Sequence, residues 1–197
     1  DEHVMYVWFD ALVNYISAIG WPDDMVHFNE WWQKGGGAIQ YCGKDNNRQQ
    51  AVMWQAMLMS AKLPNSKHII INGFINSGGQ KMSKSLGNVI DPFDVVELFK
   101  GVTDFPEDVL RFVLLHDMPS FEDGDLTLGS IKASYAAHLQ NGIGNLTSRI
   151  MKMATANDIK YQVSSIKYGE KYLKNFMQFD LHKVMELIWR EISALDK

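Results

Sequence analysis

A single cysteine in 197 residues, Cys42, excludes an internal disulfide and any metal site built from cysteines alone. Such scarcity of thiols suits a reducing compartment, and a cytoplasmic location is the expectation. No run of about 18 or more apolar residues occurs, so no membrane-spanning helix is expected. The opening Asp1-Glu2-His3 lacks the basic start and apolar stretch of a signal peptide. Basic charge is also in short supply: Lys and Arg number 19 against 23 Asp and Glu, for a net charge of -4. That removes a global footprint for coating RNA, although local charge still permits contacts to a folded RNA. Internal repeats and low-complexity tracts are absent. What is plentiful is apolar side chain, at 46%, enough for a buried core.

Both ends read as cuts in a longer protein: an aromatic run, Tyr6 to Leu12, starts almost at once, and a helix-like pattern is still running at Lys197. Residues 4–9 read as a strand or tight turn, Ala11 to Ile19 as a helix stopped by Gly20, and Trp21 to Asp24 as a turn. The segment from Glu30 ends in three glycines and reads as a flexible break. Ala38 to Cys42 reads as a strand, Gly43-Lys44-Asp45 as its exit loop, and Asn46 to Ala61 as a helix with Gln50, Trp54, Met57, Leu58 and Ala61 on one side. His68 to Phe74 carries the β-branched run of a buried parallel strand, which completes a right-handed βαβ unit. A polar, glycine-rich stretch follows. Asp91-Pro92 marks a helix start that runs to about Lys100, and Pro106 marks another. Pro119 to Asp125 reads as an acidic loop, and the chain is helical from about Thr127. Ile143, Leu146, Ile150 and Met153 make one apolar stripe; Leu181, Val184, Ile188, Ile192 and Leu195 make another, with Glu186 and Arg190 paired outside it. The predicted class is α/β followed by all-α.

Lys81-Met82-Ser83-Lys84-Ser85 is the sharpest chemical signal. Two lysines three apart flank a serine in a segment that also holds Gly78, Gly79 and Gly87. Such a loop can gather ammonium groups, hydroxyls and backbone N–H donors around a polyphosphate. Nucleotidyl transfer builds negative charge on the leaving pyrophosphate, and lysines can stabilise it in the transition state. A two-lysine loop is also compatible with a plain solvated surface.

Residues 80–92, from Gln80 through Lys81-Met-Ser-Lys-Ser85 to Asp91-Pro92, resemble the signature loop of class I aminoacyl-tRNA synthetases. That loop is shared by the methionine, isoleucine, valine and leucine enzymes. The resemblance implies ATP contacts for Lys81, Met82, Ser83, Lys84 and Ser85, with Lys84 on the phosphates and Lys81 assisting. It also implies ATP contacts for Gly43, Asp45 and Gly73. Asp45 has a second possible role, as the cap of the following helix.

Tyr6 to Ile16 is similar to the methionyl branch, where this stretch walls the methionine pocket. By that resemblance Trp8, Ala11, Leu12, Tyr15, Gln50 and Trp54 are the expected pocket residues. The chemistry agrees, because aromatic edges contact a thioether favourably and Ala11 leaves room; packing in an ordinary aromatic core would use the same residues. Three positions depart from the branch: Gln50 replaces its histidine, Asn46 an apolar residue, and Asn72 the histidine before Gly73. Glutamine donates and accepts hydrogen bonds but takes no charge.

Asn141 to Arg149 resembles the branch's anticodon helix, with Asn145 and Arg149 on one face. Taken together, the resemblance implies the second half of a Rossmann-type parallel sheet domain at residues 1–90. It implies a connecting segment at 91–126 and the start of an anticodon-binding helix bundle at 127–197. Methionine, ATP with magnesium, and tRNA are the implied partners. The family's second phosphate motif, of the His-Ile-Gly-His type, is not among these residues, so no adenylate formation is expected from this chain alone. No metal-binding set is expected in these residues, and zinc belongs, if anywhere, to a region outside them. Two alternatives stay open: a class I synthetase for another aliphatic amino acid, or a non-catalytic RNA-binding protein made of synthetase parts.

Overall fold

The computed structural model describes residues 2–35, 37–160 and 167–196. The chain divides into two compact units, Asp1–Asn72 and Gly73–Lys197. Among the described residues no helix is long and apolar enough to cross a membrane.

The first unit opens with helix α1, Val7–Ser17, which overturns the strand or tight turn expected over residues 4–9. Trp8, Leu12 and Ile16 follow at four-residue spacing, and Leu12 and Ile16 are buried. Burial on one helical face outweighs the strand preference of Val7, Trp8 and Phe9. Helix α2, Met25–Phe28, is capped by the Asp24 carboxylate and continues in wider turns over Asn29–Lys34. The segment that leads to the three glycines is thus helical up to Lys34; Gly36, within the expected flexible break, lies outside the described residues.

Strand β1, Ile39–Gly43, pairs in parallel with β2, His68–Asn72, with Ile39 opposite His68 and Gly43 opposite Asn72. Between them the chain makes a short turn, Lys44–Asn46, and a helix of wide turns, Arg48–Met53, which tightens into α3, Trp54–Ser60. Asp45 gives no capping bond to this helix, so that alternative role falls away. Leu12, Ile16, Phe28, Trp32, Trp54 and Leu58 form the core of this unit.

The second unit starts with a small sheet that the sequence did not announce. Strands β3, Ile75–Ser77, and β4, Gln80–Lys81, form a hairpin through Gly78 and Gly79, whose φ angles of 62° and 76° are left-handed. Strand β5, Gly124–Asp125, pairs in parallel with β3 inside the expected acidic loop. Helix α4, Pro92–Phe99, is capped by Asp91, whose carboxylate accepts from the Phe93 N–H at 2.8 Å. Helix α5 is Pro106–His116 and α6 is Leu128–Ser134, the latter opened by a reciprocal Thr127–Ser130 capping pair. Wide turns over Tyr135–Gly144 lead, through non-helical backbone at Gly142, into α7, Asn145–Ala156. Helices α8, Glu170–Met177, and α9, Leu181–Leu195, follow. Val95, Phe99, Val109, Phe112, Val113 and Ile131 are central to this unit's core.

The two expected helical stripes bury little. Only Leu146 of the first and Val184 of the second are buried, while Ile150, Met153 and Leu195 are exposed. The Glu186–Arg190 pair does not form. Glu186 faces His182 at 3.5 Å, and Arg190 stands 3.9 Å from Glu191.

Candidate functional site

In the second unit, hairpin geometry presents the Lys81–Ser85 loop. Met82 packs against the unit's core, which anchors the loop from below. Asn88 closes it from behind: its Oδ1 accepts from the Ser83 N–H at 2.8 Å, and its Nδ2 donates to the Lys81 carbonyl at 3.3 Å. The Ser83 and Ser85 hydroxyls meet at 2.8 Å. A short helical turn, Lys84–Leu86, ends at Gly87 with φ 64°. The Gly79 N–H donates to the Asp125 carboxylate at 2.7 Å, so β5 pins the hairpin tip. Lys81 lays its ammonium over the Phe74 ring, 3.8 Å from the centroid. Lys84 is exposed, and no acidic partner for it is found among the described residues. The loop therefore has a fixed backbone and one committed and one uncommitted cation.

Gly73 has its own reason to be glycine. A Cβ there would come within 1.9 Å of the Glu122 carbonyl oxygen, where the two backbones cross. Asn88, Asp125 and Phe74 were not singled out by sequence reasoning. The Gly78-Gly79 pair, a two-residue hairpin signal, would have found the turn that sets Lys81 opposite Asn76 and brings its ammonium within reach of Phe74.

In the first unit, the six expected pocket residues separate into groups. The Gln50 amide donates to the Tyr15 hydroxyl at 2.9 Å, and both line an open cavity of about 330 Å³ with Trp31, Trp32, Gln40 and Tyr41. Gln50 is buried, and its Oε1 has no donor. Trp54 is buried, with its ring 5.9 Å from that of Tyr15, and it walls a second cavity of about 280 Å³ with Phe9, Val13, Ile16 and Trp21. Leu12 is core and Trp8 packs on that core. Ala11 is exposed and lines neither cavity. Tyr15, Gln50 and Trp54 are thus brought together; Ala11 is not joined to them.

A polar network that the sequence did not reveal holds Gln50 in place. Gln55 Nε2 donates to the Gln50 carbonyl at 2.9 Å, and Gln55 Oε1 accepts from the Ser66 N–H at 3.0 Å. Ser66 Oγ donates to Gln40 Oε1 at 3.0 Å, which ties α3 to β1 and to the approach to β2. At the end of β1, the Asp45 carboxylate folds back over Gly43, where a Cβ would lie 2.8 Å from its oxygen. Burial, and then this carboxylate, push the Cys42 thiol above its ordinary pKa, which disfavours the thiolate.

Asn145 and Arg149 occur on α7, both exposed. Arg149 donates to the Asp196 carboxylate at 2.8 Å. Asn145 opens α7 directly after the wide turns.

Comparison with known proteins gives one consistent result. The family described as "tRNA synthetases class I (M)" matches residues 1–151. The methionine–tRNA ligase of Brucella suis biovar 1 (strain 1330) is 43% identical over 157 residues, covering 80% of this chain and 29% of its own length. That of Rickettsia typhi (strain Wilmington) is 35% identical over 201 residues, covering 99% of this chain and 38% of its own. Mycobacterium tuberculosis methionyl-tRNA synthetase in complex with methionyl-adenylate superposes with a TM-score of 0.79 at 31% identity, over 97% of this chain and 39% of that one. The chain therefore spans well under half the length of these relatives.

Proposed function

The chain belongs to the class I (M) tRNA synthetases, and from that premise we propose that it is part of an enzyme that joins methionine to tRNA. The reaction is activation of methionine by ATP to methionyl-adenylate, then transfer to tRNA. One observation carries the reading: the Lys81–Ser85 loop is pinned by Asn88 while the Lys84 ammonium stays uncommitted. A cation held that way is preorganised for charge that develops on a leaving pyrophosphate. Lys81, Met82, Ser83 and Ser85 surround the same phosphates, with Lys81 released from Phe74 when ATP and its magnesium arrive. Gly43, Asp45 and Gly73 complete the nucleotide contacts.

Tyr15, Gln50 and Trp54, with Trp8, Ala11 and Leu12, receive the amino acid. Two findings support this: the aromatic faces suit a thioether, and the buried Gln50 oxygen without a donor suits an N–H of the substrate. Residues 1–90 are the second half of a Rossmann-type catalytic domain, 91–126 connect it, and 127–197 begin an anticodon-binding bundle. Asn145 and Arg149 contact the anticodon, and the enzyme works in the cytoplasm.

The test is amino-acid-dependent ATP–pyrophosphate exchange by the full-length protein that carries this segment. Methionine is expected to outperform isoleucine. Lys84→Ala is expected to lower kcat by about 10² or more. Preference for isoleucine, or full activity in Lys84→Ala, would refute the reading. The isolated chain is expected to form no adenylate.

A further inference from the structure

A second cluster of chemically capable side chains lies in the helical unit and includes none of the residues assigned above to the ligase reaction. His116 is the last residue of α5, Asp117 follows it, and His138 lies in the wide turns before α7. One ligand atom from each of the three falls within 4.8 Å of the others. The two imidazole rings are 4.4 Å apart between centroids. Phe112 stacks on His116 at 4.8 Å, and Trp189 of α9 meets it edge-on at 5.2 Å, so the ring has little freedom. Asp117 Oδ1 stands 2.6 Å from His116 Nδ1, and the His116 side chain is only 14% exposed. Both histidines line an open cavity of about 530 Å³, which gives an ion a way in.

We propose that His116 and His138, backed by Asp117, bind a divalent transition-metal ion of the zinc class. Two imidazoles select zinc, nickel or copper over magnesium and calcium, which prefer oxygen ligands. Asp117 on Nδ1 holds His116 in one tautomer and leaves Nε2 for the ion, the usual part of an outer carboxylate. Ligand atoms around tetrahedral zinc stand roughly 3.3 Å apart, so from a separation of up to 4.8 Å the side chains close by at most about 1.5 Å on loading. Water from the cavity supplies the remaining positions. Lys171, Lys183 and Arg190 line the same cavity and oppose a cation. Lys183 is paired with Asp180 at 2.6 Å and Arg190 lies near Glu191, which reduces that opposition. The ion would clamp α5 to the helical turns that precede α7. The ligands come from separate helices, 22 residues apart, so no motif spacing marks them in the sequence.

The experiment uses the full chain stripped with EDTA, titrated with Zn²⁺ by calorimetry and with Co²⁺ by absorbance. One equivalent is expected to bind and to raise the thermal midpoint. His116→Gln and His138→Gln are each expected to weaken binding by about tenfold or more, Asp117→Asn similarly, and His68→Gln not at all. If a variant fails to fold, X-ray absorption of the zinc-loaded unmodified chain decides, with two imidazole nitrogens expected on the metal. Absence of one-to-one binding, binding unchanged in His138→Gln, or fewer than two imidazoles would overturn the proposal. None of these readouts depends on ligase activity, so the two readings stand or fall separately.

Discussion

Asn88 and Lys84 have opposite positions in the same loop: one spends both ends of its amide on the backbone, the other holds its charge in solvent. Asn88→Ala should therefore loosen the loop without touching substrate. In the full-length enzyme kcat/KM for ATP is expected to fall by about tenfold or more, since small displacements of catalytic groups are costly, with the KM for methionine unchanged. A fall confined to the methionine KM would show that Asn88 has another role. Gly73→Ala forces a Cβ onto the Glu122 carbonyl oxygen, and overpacking of this kind costs about 1–3 kcal/mol. Urea unfolding of the chain should show about 1–3 kcal/mol lost, and an unchanged midpoint would mean that the crossing backbones relax freely. At this scale the sequence was informative where chemistry is local. The two-lysine loop of Lys81 and Lys84 is legible from residue type and spacing, whereas Tyr15 and Gln50 were expected together only through the resemblance, and the structure joins them by a hydrogen bond. The Gln40–Gln55–Ser66 network and the His116–His138 pair are not legible, because they depend on which helix faces which strand or helix.

Helix caps carry much of the information at the level of the element. Asp91-Pro92 was legible because cap and fixed φ act within one turn, and Asp91→Ala is expected to cost about 1 kcal/mol by chemical denaturation. Asp180 caps α9 by accepting from the Lys183 N–H, and its carboxylate also meets the Lys183 ammonium at 2.6 Å. Burial pushes its pKa up, but these bonds more than offset that and hold it below the ordinary carboxylate value. An unfolded chain therefore takes up this proton first. The stabilisation is complete above the unfolded value of about 3.9 and is lost as pH falls through the lower folded value. Asp180→Asn should thus be less stable than the unmodified chain at pH 7, with the gap narrowing below about pH 4. Equal gaps at both pH values would argue against the ion pair as the cause. Strands β3, β4 and β5 escaped the sequence because pieces of two or three residues carry no periodicity. Helix α1 was misread for a different reason: four aromatic and β-branched residues masked the 8–12–16 spacing that decides its buried face.

At the scale of the whole molecule, large apolar side chains stand in solvent: Val26, Trp31, Phe93 and Phe105 are each more than half exposed. Apolar surface on this scale favours association. The isolated chain is expected to bind a hydrophobic dye and to self-associate at micromolar concentration, as read by light scattering after gel filtration; a dye-silent monomer would contradict this. The parallel β1–β2 pair and the turn to helix after Thr127 were both readable, because each rests on hydrophobic pattern and capping over many residues. How the helices pack was not, since exposed Ile150 and Met153 carry the same pattern as buried positions.

The α7 guanidinium proposed above to contact RNA is already in use. Arg149 is engaged with Asp196, 47 residues later in the chain, and an incoming nucleotide must displace that carboxylate. Both partners are well exposed, so the exchange costs no more than about 1 kcal/mol, or roughly fivefold in affinity. Added salt weakens the internal competitor and the nucleic acid's grip together. RNA capture through this arginine should therefore respond to ionic strength less steeply than capture through an unpaired one.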